Sequence, residues 1–262
     1  MTHTSRATTP TALVTGASKG FGRAVARQLS ARGWRLVLDA RNDADLERVA
    51  TDLPGAVAVG GDVTDPLHRE ALAAAVEVLG GIDLLVNNAS DLGPSPLPPL
   101  RDYPLSAARA LYETNVIAPL GLIQLVLASL VRAGGAIVNV SSDAAVEAYE
   151  GWGGYGPSKA ALDHLGAVLA AEEPGVRVYA FDPGDMRTDM HQRAFPGEDI
   201  SDRPEPDSVV PALLRLIDER PVSGRYRAGD LPARALGEAS GEVAHQNGAW
   251  VHPSIHRVTE TR

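Results

Sequence analysis

The chain has 262 residues, of which 44% are hydrophobic; that is enough apolar material for one large α/β domain and excludes disorder of the whole chain. Acidic residues outnumber basic ones by 33 to 24, and the net charge of −9 argues against nucleic acid or an anionic membrane surface as the main partner. Cysteine is absent, which excludes disulfides, Cys-ligated metals and thiol nucleophiles and fits a cytoplasmic setting.

In chain order, the polar stretch 1–10 reads as a flexible N-terminus without a signal core. Short apolar, β-branched runs follow at Thr11 to Thr15, Arg35 to Ala40, Ala56 to Gly60, Ile82 to Asn87, Ala136 to Ser141, Val176 to Phe181 and Gly224 to Arg227. Segments at helical spacing alternate with them: Phe21 to Arg32, Ala44 to Thr51, Pro66 to Leu79, a long one within Pro104 to Arg132, Gly156 to Ala171 and Asp207 to Glu219. Gly33, Gly80 and Gly134 stand where helix ends want a left-handed residue. The alternation predicts a single α/β domain over 11–230, a doubly wound sheet of about seven parallel strands with helices on both faces. Gly93 to Pro104 is proline-rich and reads as an irregular loop, and 231–262 as a C-terminal extension without periodicity. The most apolar run, Leu120 to Val131, holds Gln124 and is too short for a bilayer, so no membrane span is expected.

Two constellations carry chemistry. Directly after the first strand comes Thr15-Gly16-Ala17-Ser18-Lys19-Gly20-Phe21-Gly22, opening into a helix. Strand, glycine turn and helix N-terminus together let backbone N–H groups approach a pyrophosphate, whereas glycines alone would make an ordinary tight turn. Later, Tyr155 and Lys159 stand at i and i+4 on one helix face, with Ser142 thirteen residues before the tyrosine at a strand end. A nearby ammonium favours the phenolate and so brings a phenol down toward a useful proton-donating range, and a serine hydroxyl can polarise a substrate carbonyl. Each residue has a duller alternative: half-buried aromatic, surface charge, strand-end turn.

The spacing of the glycine turn, the Asn87-Asn88-Ala89 segment after the fourth strand and the serine, tyrosine and lysine in that order resemble the short-chain dehydrogenase/reductase family over residues 11 to about 230. Several strings are similar to its sepiapterin and benzil reductase branch: Gly16 to Arg23, Ala40-Arg41-Asn42-Asp43, Gly151-Trp152, and Glu172 to Val178 leading to Asp182-Pro183-Gly184 and Thr188. The resemblance implies a Rossmann-type fold and a tetrad of Asn115, Ser142, Tyr155 and Lys159, with Asn115 bending its helix and holding a water in a proton relay. It implies cofactor contacts from Gly16, Ser18, Lys19, Gly20, Phe21, Gly22, Arg41, Asn42, Asp62, Val63, Asn88, Ala89, Tyr155, Lys159, Pro183, Gly184 and Thr188. The family's acidic position after the second strand falls on Ala40, while Lys19 and Arg41 match the basic residues of NADP-preferring members. NADPH is therefore the expected cofactor and NADH the lesser one, with Asp39 the residue that speaks for NAD. Ser90 stands where the family has glycine, and Ala228 where the pterin-anchoring aspartate of that branch would be.

Tyr149 and Trp152 are placed to line an aromatic substrate's pocket, with packing as the alternative, and Asp185 and Met186 join Ser142 as candidate substrate contacts. The segment from Asp189 to about Pro206 is the expected mobile lid. Three readings stand at this point: reduction of a small ketone or vicinal diketone, action on a larger polycyclic or carrier-bound ketone, and a non-catalytic NADP sensor. No metal site is expected from His245, His252 and His256. A homo-dimer or homo-tetramer is expected by resemblance, through the helices containing Asn115 and Tyr155.

Overall fold

The computed structural model describes residues 9–231. The polar N-terminal residues 1–8, the extension beyond Leu231 and its three histidines lie outside the described residues. Seven strands form one sheet: β1 (Thr11–Val14), β2 (Arg35–Ala40), β3 (Ala56–Gly60), β4 (Leu84–Asn87), β5 (Ala136–Val140), β6 (Arg177–Asp182) and β7 (Gly224–Arg227). All pairings are parallel, in the order β3-β2-β1-β4-β5-β6-β7. Two strands start later than the apolar runs suggest, because the first residues bond elsewhere. The Ile82 N–H is taken by the Ser129 hydroxyl, and the Val176 N–H by the Glu173 carbonyl.

Strict alternation along the strands divides the core in two. Ala12, Val14, Leu36, Leu38, Leu84, Val86, Val138 and Phe181 point to one face and pack under α1 (Gly20–Ala31), α2 (Asp43–Thr51) and α8 (Pro206–Glu219). Leu13, Val37, Leu85, Ile137 and Val178 point to the other, under α3 (Pro66–Val78), α5 (Ala118–Ala133) and α6 (Tyr155–Glu172). A sheet buried on both faces explains why its strands read as continuous apolar runs. The predicted long helix is α4 (Leu105–Tyr112) joined to α5 through a π-helical turn, Glu113–Ile117. The helical rod Leu105–Ala133 is thus longer than its apolar centre and reaches a mean hydropathy of 2.0, long and apolar enough to cross a membrane by length and composition. Leu122, Ile123, Val126 and Leu130 of this rod are buried against the sheet, as core residues.

Helix ends follow the sequence chemistry. Asn42 caps α2 by accepting from the Asp45 N–H, Asp65 caps α3 by accepting from Leu67, and Gly134 ends α5 in the left-handed region at φ 59°. Within the expected lid, residues 189–194 form a helix, α7 (Asp189–Ala194), capped by Thr188 accepting from His191. Periodicity missed it because six residues are too few to show one.

Candidate active site

Strand order reverses direction at β1 and β4, so the loops leaving their C-terminal ends diverge and open a crevice. The glycine turn lies on one side of it. Gly16 and Gly20 have φ of 65° and 54°, which L side chains rarely adopt, and a Cβ on Gly22 would stand 2.4 Å from both the Asn88 amide and the Gly16 carbonyl oxygen. Asn88 in turn donates to the carbonyls of Thr15 and Gly16, while the N–H groups of Asn88 and Ala89 both donate to the Thr15 hydroxyl. Asn88 and Ala89 therefore stitch β4 to the turn. Phe21 points away from the crevice and stacks on Phe181 at 6.0 Å, so only its backbone remains for a ligand.

The residues expected around an adenosine fall into two groups. Arg41 is exposed and makes no hydrogen bond or ion pair among the described residues. Asp62 lies near it; although partial burial works against it, hydrogen bonds from Thr64 and the charges of Arg41 and His68 hold its carboxyl below the usual range. Helix capping falls to Asp65, which leaves Asp62 free of that duty. The Val63 side chain is buried and its carbonyl accepts from Arg69 at 2.6 Å. Lys19 forms an exposed ion pair with Asp189 at 2.7 Å, and the Asn42 side chain is engaged as a cap. Asp39, by contrast, is sealed beneath the turn at 1% exposure, with one oxygen 2.7 Å from His68 Nε2 and the other accepting from the Gly16 N–H. A Cβ on Gly61 would meet the His68 ring at 2.3 Å, so that glycine makes the room. Asp39 is thereby closed off from the crevice.

On the other side of the crevice, Ser142 leaves β5, and Tyr155 and Lys159 open α6. The Ser142 hydroxyl donates to Asp143 at 2.9 Å and accepts from the Ala144 N–H. Lys159 is 2% exposed, donates to the Val140 carbonyl at 2.8 Å and stands 5.5 Å from the centre of the Tyr155 ring. Burial pulls its pKa down to about 8, against the opposing charge of Asp163. The Tyr155 phenol is pushed well above its ordinary value by burial, with Asp182 and Asp143 adding to the effect and hydrogen bonding with Ser90 and Ser142 opposing it. The net shift is thus opposite to the lowering expected from Lys159, whose ammonium bonds a backbone carbonyl and sits over the ring face.

Asn115 lies in the π turn and is fully buried. Its Oδ1 accepts from the Asp91 N–H at 2.8 Å and the Ser90 hydroxyl at 3.1 Å, and its Nδ2 donates to the Asp91 carbonyl and to Ser158. The side chain clamps the loop after β4 onto α6. Both side-chain groups of Asn115 are thus engaged, which leaves neither of them for the expected relay water.

Above Tyr155 lies an aromatic and aliphatic wall. Trp152 meets Tyr155 edge-on at 5.7 Å and Phe195 at 6.0 Å, and Leu92, Leu97 and Met190 pack with them. Tyr149 touches Trp152 from the exposed side and donates to Asp143 and Glu147. Helix α7 is tied over this wall: the Arg193 guanidinium contacts Asp91 and the Gly93 carbonyl, and Ser95 donates to the Arg193 carbonyl. Pro183 is buried, the Gly184 N–H donates to Asp182, and the Thr188 methyl lies 3.6 Å from where a Gly20 Cβ would be, so the loop after β6 reaches the glycine turn. Two of the expected substrate contacts are engaged within the protein. Met186 packs against the core, and Asp185 faces His191 and Arg203 at 3.7 Å. Sequence reading passed over His68, Asp143, Asp163 and Arg225, and noted Ser90 only as a departure. Among the described residues no group of three or more His, Asp or Glu side chains could hold a metal.

The profile of the family described as short chain dehydrogenase matches residues 10–199. The L-xylulose reductase of Bos taurus is 34% identical over 83% of this chain and 96% of its own length. The sepiapterin reductase of Meriones unguiculatus is 38% identical over 70% and 76%. A short chain dehydrogenase of Escherichia coli solved with NADPH superimposes with a TM-score of 0.79 at 29% identity, covering 84% of this chain and 97% of its own. An alcohol dehydrogenase of Thermococcus sibiricus solved with 5-hydroxy-NADP gives 0.76 at 27% identity, covering 84% and 95%. With a family profile spanning most of the sheet and a relative matched over 96% of its length, this chain belongs to the short-chain dehydrogenase/reductase family of oxidoreductases, and sepiapterin reductases are among its relatives.

Proposed function

We propose that the chain is an NADPH-dependent reductase of ketones and vicinal diketones whose carbonyl carries an apolar or aromatic flank. The observation that carries this reading is the convergence of Ser142, Tyr155 and Lys159 at the crevice, under the Trp152 and Phe195 wall and beside a glycine turn in which no Cβ fits at Gly22. The glycine cradle and the unpaired Arg41 fit a dinucleotide carrying a 2′-phosphate. Backbone N–H groups from Ser18 to Gly22 would hold the pyrophosphate and Arg41 the phosphate, with Asp62 and Val63 at the adenine; Ala89, Lys159, Gly184 and Thr188 would flank the nicotinamide ribose. Burial of Asp39 removes the carboxylate that would oppose this preference.

When bound, NADPH supplies the hydride. Ser142 turns its hydroxyl from Asp143 to the substrate carbonyl oxygen and holds it next to Tyr155. Tyr155, whose raised pKa keeps the phenol protonated at neutral pH, donates the proton to that oxygen as general acid. Lys159 stabilises the phenolate left behind, and the Asn115 carbonyl receives the far end of the water chain that restores the proton. Lys159 and Tyr155 need this partnership because burial opposes charge on both.

The test is a carbonyl panel with NADPH oxidation followed by absorbance, comparing aromatic diketones, sepiapterin, polyhydroxy ketones and acyl thioesters in wild type and Tyr155→Phe. Turnover of aromatic diketones that disappears in Tyr155→Phe is expected; turnover unchanged by the substitution overturns the reading. Exposed Ile117, Leu125 and Val168 on the π turn, α5 and α6 support association of copies through these helices, which sedimentation of the purified chain tests.

A further inference from the structure

Three consecutive residues at the end of β5 are gripped from different directions. The Val140 carbonyl accepts from Lys159, the Ser141 hydroxyl donates to Asp163 at 2.8 Å, and the Ser142 carbonyl accepts from Arg225 at 2.8 Å. Asp163 lies one helical turn beyond Lys159 on α6, and Arg225 is the second residue of β7. The Arg225 guanidinium also binds Asp163 through Nε at 3.3 Å and Asp182 at 2.9 Å. Asp182 is the last residue of β6, and its other oxygen accepts from Gly184 in the loop that reaches toward the glycine turn.

Both carboxylates are deeply buried, Asp163 at 8% and Asp182 at 1% exposure, and Asp163 Oδ1 has no hydrogen-bond partner among the described residues. Buried carboxylates in such a place need a cation, or they repel every anion formed nearby. The phenolate of Tyr155 is such an anion. The groups in play are Tyr155, Lys159 and Asp163 on α6, Asp182 on β6, Arg225 and Arg227 on β7 and Asp143 after β5. Arg227 contacts Asp182 only at 3.6 Å and is half exposed, so Arg225 supplies most of the compensation.

We propose that Arg225 is a positioning residue for the reductase centre: its guanidinium fixes the Ser142 backbone and shields Tyr155 and Lys159 from the two carboxylates Asp163 and Asp182. The role in catalysis rests on the proposed reaction, whereas the role at Lys159 does not. Asp163 supports the charged form of Lys159 against burial, and although burial raises the Asp163 carboxyl overall, the Ser141 hydrogen bond and the Arg225 charge pull it back toward the anion. Without the guanidinium, Lys159 feels an uncompensated carboxylate and holds its proton to higher pH.

The chain offers a clean readout, because Lys19 and Lys159 are its only lysines. Labelling lysine Cε with ¹³C gives two side-chain resonances whose shifts follow ionisation. In wild type the Lys159 resonance should titrate near 8. In Arg225→Met its midpoint should rise by about half a unit or more, and in Asp163→Asn it should fall, the second variant guarding against failure of the first to fold. Arg225→Lys restores the charge without the bidentate geometry, and its third resonance is told apart as the one absent from the wild-type spectrum. It should return the Lys159 midpoint toward wild type while kcat stays about tenfold low and the NADPH KM changes less than about threefold. A Lys159 midpoint that stays put in both folded variants overturns the inference. A wild-type chain that reduces no carbonyl in the panel overturns the proposed reaction instead, and leaves the Lys159 titration as the measure of Arg225.

Discussion

On the half of the crevice proposed to take the cofactor, Asp39 closes on His68 beneath the glycine turn, and on the half proposed to be catalytic Asp163 and Asp182 share Arg225 behind Ser142. All three carboxylates are buried at the C-terminal ends of parallel strands or on the helix packed beside them, yet they are compensated differently. Asp39 has a histidine and one backbone N–H, and burial prevails to raise its pKa. Burial raises the Asp163 carboxyl as well, but it and Asp182 have beside them a guanidinium, which stays charged at any working pH. The half proposed to accept the anionic cofactor withdraws its carboxylate from the crevice. The half proposed to form the phenolate keeps its carboxylates and holds a permanent cation against them.

The largest effect should come from the catalytic half. Tyr155→Phe is expected to lower kcat by about a hundredfold to ten-thousandfold, the usual contribution of general acid catalysis. Tm should hold within about 2 °C, because only the phenol oxygen is lost. On the other half, Arg41→Ala should lower kcat/KM for NADPH by about ten- to a hundredfold and for NADH by less than about threefold, as the loss of a charge-assisted contact to phosphate. Equal losses for both cofactors would remove Arg41 from the phosphate. In wild type, kcat for reduction should fall as pH rises past about 8, where Lys159 gives up its proton and no longer supports the phenolate; a flat profile through that range would contradict the role given to the ammonium.

Smaller effects sharpen the contrast. Asp39→Asn should leave the NADPH to NADH ratio within about threefold of wild type, since the carboxyl does not face the crevice. A carboxyl whose pKa is raised on folding favours the folded state most below its unfolded value and loses that contribution as pH climbs through the folded one. The Tm of wild type minus that of Asp39→Asn should therefore decline as pH rises from the ordinary value of 3.8, and a difference that grows with pH would show Asp39 to be stabilised as the anion. Least of all, Lys19→Ala should change kcat/KM for NADPH by less than about threefold, an effect erased by salt, because its partner Asp189 and the whole pair are exposed.

What was legible in the sequence is local in the chain. Each strand declares itself by a buried apolar run, and the glycine turn and the Tyr155 to Lys159 step are fixed by backbone freedom and by helical geometry. The residues that escaped notice act across the sheet. Arg225 looks like an ordinary exposed position in Gly224-Arg-Tyr-Arg until β7 pairs with β6 and sets it opposite Ala180, next to Asp182. His68 carries no mark in the sequence, and only the missing Cβ at Gly61 lets its ring reach Asp39. Asp39 itself is ambiguous in a strand, where one residue decides which face a side chain takes. The contacts that Met186 and Asp185 make within the protein were illegible for a related reason, since a loop carries no periodicity to say which of its side chains turns inward.

The unequal exposure of the two lysines has a practical consequence. A protease that cuts after lysine meets one target in an open turn, Lys19, and one whose side chain is 2% exposed on a packed helix, Lys159. Scission after Lys159 requires α6 to come away from the sheet, so the amount of that fragment, measured against scission after Lys19 in the same digest, gauges how often the catalytic half of the molecule opens.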